Sequence, residues 1–416
     1  MHLLLLASAG AQRRAMTNQL RERLPRFAKS AASALGVVVA MVLVSTFVAI
    51  GPPTIGQDYE AGVEFAILVD YETGTVLYQH NADRAMPPAS MAKLMTMFIV
   101  FEALRDGRLS LDDQFEISEN AWRKGVAPSG TSTMFAEFGS FIAVRDLMRG
   151  VIVQSGNDAV IAIAEGFADS EEAFAEMMNE AANRLVLEGS VFTNPTGLPD
   201  PNQHVTARDL STLAIRIIAD FPEHYAIYSE REFTWKGINQ SNRNTLLRMD
   251  IGADGMKTGF TEESGYGLIA SAVQGNQRLV AVINGAVSEA ARTGEASGLL
   301  DWGFNSITRV SLFGPDITLA EAAVFGGVQS TVGLRLRAPL SFLVPEDSIG
   351  RLEAEIAYHG PLVAPVDIGV VAGTLRVRLD GNIVATAPVI TENSIARGST
   401  PQRARDALID LFLGWQ

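Results

Sequence analysis

Between residues 65 and 304 the chain places strand-like segments at both ends and helix-like segments in the middle, and this order restricts the fold more than any other feature. Phe65–Val69 and Thr75–Tyr78 read as strands around an Asp70–Gly74 turn. Strand texture returns after residue 230, in Glu232–Lys236, Tyr266–Val273 and Arg278–Asn284, the last two joined at Gly275-Asn276. Between them lie helix candidates at Ser90–Leu104, Phe141–Arg149, Ala159–Phe167, Glu171–Leu187 and Ala207–Ala219. In the first, Met91, Leu94, Met95, Phe98, Ile99 and Phe101 supply the surface to be buried. Ser297–Phe304 is expected to close this part as a helix beside the N-terminal strands. Strands drawn from both chain ends with helices between them imply an antiparallel sheet with helices on its faces, an α/β (α+β) fold.

The texture changes near residue 310. From there to about Thr391, alternating segments (Val332–Arg337, Leu352–Tyr358, Thr374–Leu379, Ile383–Val389) separated by Gly and Pro predict a small all-β sandwich domain. Residues 392–401 form a polar linker. The tail Gln402–Gln416 places Ala404, Leu408, Leu411, Phe412 and Trp415 on one helical face, with Arg403, Asp406 and Asp410 opposite. Such a helix either associates with a membrane surface or docks on its own domain. At the other end, six basic residues against the single Glu22 precede an uncharged apolar run from Ala31 to Ile50. That pattern predicts an export signal or a first membrane helix rather than a buried core helix, and either of the first two would carry the chain beyond residue 51 across the membrane. The expected division is 1–57 signal or anchor, 58–308 first domain, 309–391 β-domain, and 392–416 linker and amphipathic helix.

A net charge of -14 disfavours nucleic acid, whose phosphates need a basic face. The absence of cysteine excludes thiolate metal sites and thiol nucleophiles. The five histidines show no ligand spacing, so neither metal nor cofactor is expected.

Three short motifs carry the chemistry. Ser90-Met91-Ala92-Lys93 follows Pro87-Pro88, which predicts Ser90 at a helix start with Lys93 one turn on and on the same face. A serine hydroxyl is a weak nucleophile until a neighbour takes its proton, and a lysine can do so when burial or another cation lowers its pKa. Of the five lysines only Lys93 has a serine three positions before it. Ser155-Gly156-Asn157 ends an apolar segment before a helix and offers a hydroxyl and a carboxamide; Ser118-Glu119-Asn120 fits the same pattern in a charged stretch. Lys257-Thr258-Gly259 stands on a predicted strand edge, where a substrate can lie against the backbone with a positive charge available for a carboxylate. Each motif alone has an ordinary reading as a helix cap or a solvated turn.

In this order and context the three resemble the signature of the serine β-lactamases and penicillin-binding proteins. Gln154–Ala159, Thr206–Asp209, Asn242–Asn244, Asp254–Gly259, Asp301–Phe304 and, in the second domain, Pro361–Val366 are similar to the D-alanyl-D-alanine carboxypeptidases, and the amphipathic tail to that family's membrane anchor. A class A β-lactamase would need a glutamate before the last motif, and residues 189–222 contain none. The resemblance implies a β-lactamase/transpeptidase-like catalytic domain acting on peptidoglycan stem peptides, acylated by β-lactam antibiotics, and attached to the periplasmic face of the inner membrane.

The resemblance also implies roles. Ser90 forms the acyl-enzyme, with Lys93 as base and with the charge of Lys257 helping to lower the Lys93 pKa. Ser155 and Lys257 pass a proton to the departing D-alanine, and Asn157 holds the substrate amide. Thr258 and Arg292 bind the terminal carboxylate, beside Gly259. The backbone N–H groups of Ser90 and Phe260 form the oxyanion hole. Phe260 stands where the best-known branch has histidine. D,D-endopeptidase action on crosslinks and a catalytically silent wall-binding scaffold are the alternative readings.

Overall fold

The computed structural model describes residues 59–125, 131–314, 316–358 and 360–413, and two compact units divide the chain after Thr308. The expected export segment lies outside the described residues. Among those described, no helix is long and apolar enough to cross a membrane.

The first unit is built on five strands: β1 (Phe65–Asp70), β2 (Val76–His80), β3 (Ala253–Thr261), β4 (Gly265–Gln274) and β5 (Gln277–Ala286). Their order is β2-β1-β5-β4-β3 and every neighbour is antiparallel. The two chain ends meet at the β1–β5 pair, where Ala66 lies opposite Ile283 and Leu68 opposite Ala281. β1 is buried at all six positions, which requires cover on both faces of the sheet.

One face is covered by a helical core made of α1 (Lys93–Arg105), α2 (Glu119–Gly125), α3 (Val144–Ile152), α4 (Asn157–Ala168), α5 (Glu171–Arg184) and α6 (Ala207–Asp220), of which α6 packs directly on β1 and β5. Ile67, Val69, Val280 and Val282 join Met95, Phe98, Val160 and Ile217 in that core. The other face takes α7 (Glu289–Ser306). There Gly303 lets the helix approach Leu68 and Leu279, which a Cβ at that position would overlap. Trp302 sits 5.6 Å from the ring of Tyr59 and 6.2 Å from that of Tyr78.

Three local expectations are corrected. The last helix starts at Glu289, eight residues before Ser297, because Ser288 caps it by accepting the Ala291 N–H at 3.1 Å. Its Ala- and Gly-rich first turns carry almost no periodic signal. Phe141–Ala143 is a strand paired with Gln114–Glu116, so that helix begins only at Val144. Ser90 lies in a 3₁₀ turn, Ala89–Ala92, and the α-helix starts at Lys93.

The second unit holds a six-stranded sheet of β6 (Ala320–Phe325), β7 (Thr331–Leu336), β8 (Leu352–Tyr358), β9 (Leu362–Val363), β10 (Val371–Leu379) and β11 (Asn382–Thr391), in the order β8-β10-β11-β7-β6-β9. A two-stranded sheet pairs Ile307–Leu312 with Leu340–Pro345. Phe342 and Val344 of this ribbon pack on Val377 of β10, so two β layers share an apolar seam. The helix α8 (Thr400–Leu413) meets its own unit through its polar face: the Asp406 carboxylate accepts the Gly326 N–H at 3.0 Å. Ala404 and Leu408, on the face read as apolar, are exposed. The side chains of Leu411 and Phe412, and all of Trp415, lie outside the described residues.

Candidate active site

Pro87-Pro88 ends the preceding segment, and Ala89 adopts a left-handed φ of 47°, unusual for a residue with a Cβ. The chain then closes the 3₁₀ turn that carries Ser90. Side chains three apart nearly eclipse in such a turn, which brings Lys93 under Ser90. Lys93 is fully buried. Its Nζ lies 2.7 Å from Ser90 Oγ and donates to the Thr196 carbonyl at 2.8 Å. Burial first, and then the Arg243 charge, push the amine down to about 7, against the opposing pull of Asp158. Near neutral pH a large share of this lysine is therefore a free amine beside a hydroxyl.

Thr196 belongs to a loop tied by Asn194, whose Oδ1 accepts from Thr196 Oγ1 at 2.7 Å and from the Gly197 N–H at 2.8 Å. Gly197 has a φ of 81°, and a methyl group there would run into the Ala89 carbonyl oxygen. Glycine is what lets this loop press against the Ser90 turn.

Ser155 follows α3 in a left-handed conformation with a φ of 65°, and Asn157 opens α4. Both are buried. The Asn157 N–H donates to the Ser132 carbonyl at 2.8 Å, and its side-chain Oδ1 is buried with no partner. The next residue, Asp158, is fully buried and pins the facing loop. Its carboxylate accepts Thr133 Oγ1 at 2.7 Å and the N–H groups of Met134 at 3.0 Å, Ala136 at 3.1 Å and Ala159 at 3.0 Å. Burial raises its pKa, and those four bonds oppose the rise. The second Ser-x-Asn sequence goes elsewhere. Ser118 accepts the Ala121 N–H at 2.9 Å, and Asn120 donates to Glu165 and Glu171.

β3 supplies Lys257, Thr258, Gly259 and Phe260. Lys257 is buried; its Nζ is 2.9 Å from Ser155 Oγ and donates to the Thr258 carbonyl at 3.0 Å. Its pKa is well lowered, by burial first and then by Lys93, Arg243 and Arg292. Lys93 and Lys257 repel one another across the site, as expected, and the Arg243 charge adds to burial in lowering Lys93. A Cβ on Gly259 would stand 3.1 Å from Pro88 O and 3.2 Å from Ala89 Cβ, so the strand edge passes close beside the Ser90 turn. Phe260 pairs across the strands with Tyr266, ring centroids 4.2 Å apart, and keeps half its surface exposed.

Ser90, Ser155, Asn157, Thr258, Arg243 and Arg292 line one open cleft of about 490 Å³, with Gly259 and Phe260 on its edge and Lys93 and Lys257 beneath the two hydroxyls. All nine expected residues thus converge. Arg292 comes from α7, is 4% exposed, and donates from Nη2 to the Arg243 carbonyl at 3.3 Å and to Glu289 at 3.0 Å. Sequence reading gave no role to Arg243, Asp158, Thr196 or Glu289. The first two stand inside segments whose resemblance was visible. Thr196 acts through a backbone carbonyl, which no side chain advertises. Among the described residues no group of three acidic, histidine or cysteine side chains could hold a metal ion.

A hydroxyl nucleophile over a free amine, a second hydroxyl–amine pair and two guanidinium groups in one cleft are the parts of an acyl-transfer site that handles an anionic substrate. Comparison with known proteins agrees with that chemistry. The family model for D-alanyl-D-alanine carboxypeptidase matches residues 53–288, and that for the penicillin-binding protein 5 C-terminal domain matches residues 308–397. The chain is 40% identical over 352 residues to the D-alanyl-D-alanine carboxypeptidase DacC of Escherichia coli, covering 84% of this chain and 88% of that protein. The crystal structure of penicillin-binding protein 5 from Haemophilus influenzae superposes with a TM-score of 0.70 at 36% identity, covering 82% of this chain and 100% of that one. Penicillin-binding protein D2 of Listeria monocytogenes, in its ampicillin-bound form, superposes with a TM-score of 0.54 at 29% identity over 60% of this chain and 100% of its own. With its serine, lysines and β-rich second unit all in place, the chain belongs to the D-alanyl-D-alanine carboxypeptidase family of penicillin-binding proteins.

Proposed function

We propose that this enzyme removes the terminal D-alanine from peptidoglycan stem pentapeptides through an acyl-enzyme on Ser90. The observation that carries the reading is the buried Lys93 amine, 2.7 Å from Ser90 Oγ and lowered to about 7. Ser90 Oγ attacks the carbonyl of the penultimate D-alanine while Lys93 takes its proton. The backbone N–H groups of Ser90 and Phe260 receive the oxyanion. The C–N bond breaks as a proton reaches the departing amine through Ser155, backed by Lys257. Water then cleaves the ester, with Lys93 directing it. Asn157 holds the peptide amide, and Thr258 and Arg292 take the terminal carboxylate. A β-lactam would stop at the ester, a reading supported by the ampicillin-bound relative.

The place of action is inferred from the chain ends. The basic segment and the apolar run at 31–50 support export, and the exposed Leu408 on α8 supports contact with the outer face of the cytoplasmic membrane.

The test is D-alanine release from diacetyl-lysyl-D-alanyl-D-alanine together with fluorescent penicillin labelling, in wild type and Ser90→Ala. Both signals are expected in wild type and neither in the variant. Labelling without release would shift the substrate to crosslinked peptides, and the absence of both from folded wild type would leave the scaffold reading in the lead.

A further inference from the structure

Arg292 is the one guanidinium in the cleft that is almost wholly buried, and its bonding is lopsided. Nη2 serves the Glu289 carboxylate at 3.0 Å and the Arg243 carbonyl at 3.3 Å, while Nε is buried with no partner. A carboxylate that grips arginine side-on takes Nε and the adjacent Nη together, through two parallel N–H···O bonds. Half of that fork is held by a carboxylate of the chain itself. Glu289 is 59% exposed, lines the same cleft as Thr258 and Arg292, and is the only acidic residue lining it among the described residues. Its charge also acts on Arg243, the second guanidinium of the cleft.

We propose that Glu289 is a built-in competitor of the substrate's terminal carboxylate and so sets how strongly the site favours free C-terminal substrates. This rests on the assignment of Arg292 to that carboxylate. A peptide whose free carboxylate pairs with Nη2, side-on with Nε or end-on with Nη1, shares that nitrogen with Glu289 and meets its negative charge at close range. A substrate with a neutral amide at that position meets neither obstacle. Glu289 therefore narrows the gap between free-tailed peptides and those whose chain continues past the cleaved bond, as in a crosslink. Helix geometry does not require this residue, since Ser288 already caps α7.

The experiment compares wild type, Glu289→Gln and Glu289→Ala on diacetyl-lysyl-D-alanyl-D-alanine and on the same peptide with a C-terminal amide. Thermal unfolding of each protein confirms that it is folded. Removing the charge at a half-exposed pair is expected to lower KM for the free acid roughly three- to tenfold, with kcat moving less than twofold. KM for the amide should stay near its wild-type value, so selectivity for the acid rises. Penicillin, which carries its own carboxylate, should acylate both variants faster by a similar factor. A higher KM for the acid in the variants would show that Glu289 holds Arg292 in position and would overturn the proposal, as would equal changes for acid and amide. Failure of the wild type to turn over the free acid would instead sink the carboxypeptidase reading beneath it.

Discussion

A lysine amine in water is protonated at neutral pH and cannot accept a proton; removing it from water and setting a cation nearby reverses that. Lys93 meets both conditions, and the serine three positions before it made its importance visible in sequence. What remained hidden were the groups placed around it. Thr196 offers a carbonyl, Arg243 acts from more than a hundred residues away, and Asp158 fixes a loop over twenty residues upstream. These roles are consequences of tertiary placement, so even the family-like segments that hold Arg243 and Asp158 do not reveal them. Asp158 gives the sharpest test at this scale. Asp158→Ala leaves three buried N–H groups and one hydroxyl unpaired, and urea unfolding should show a loss of roughly 3 kcal/mol or more. D-alanine release should fall with it, because the strip from Thr133 to Ala136 and the start of α4 then lose their common anchor. An unfolding free energy within about 0.5 kcal/mol of wild type would contradict that role.

At the scale of elements, the strands were legible because β1, β4 and β5 are apolar and carry clear turn signals, and the motif-bearing helix because its buried face is strong. Boundaries were less legible. The first turns of α7 are Ala- and Gly-rich, and the strand at Phe141–Ala143 exists only because Gln114–Glu116 lies beside it. The active site joins three such elements by close backbone approach: the 3₁₀ turn, the β3 edge and the Thr196–Gly197 loop. Gly197→Ala tests the tightest of these contacts. Its methyl would meet the Ala89 carbonyl and demand a left-handed backbone, so the Ser90 turn must shift. Acylation by penicillin is expected to slow at least tenfold, since a displacement of about 1 Å at a nucleophile costs up to a hundredfold. An unchanged rate would mean that the loop does not position the serine.

For the whole molecule, the change of texture near residue 310 and the break between the two units after Thr308 fall close together. Alternating β segments separated by Gly and Pro are easily told from a helix-rich region. The role of α8 was less open to sequence reading, because its pattern fitted both a membrane surface and docking on its own domain. In the structure one of them, Asp406, ties the helix to Gly326 and leaves Leu408 outward. A chain ending after Ser399 should therefore lose association with anionic phospholipid vesicles in a sedimentation assay. Its D-alanine release from the soluble peptide should stay within about twofold of the full chain. Undiminished vesicle binding would remove the proposed membrane role from this helix.

The central claim is that Lys93 reaches Ser90 as a free amine near neutral pH. The pH dependence of the second-order rate of acylation by penicillin tests it most directly, because that quantity reports ionisations of the free enzyme. With the amine lowered to about 7, protonation below that value should switch off the base, so the rate should fall about tenfold per pH unit on the acid side and level off above it. A rate that stays flat down to pH 5, or that rises only near the ordinary lysine pKa of about 10.4, would contradict the account.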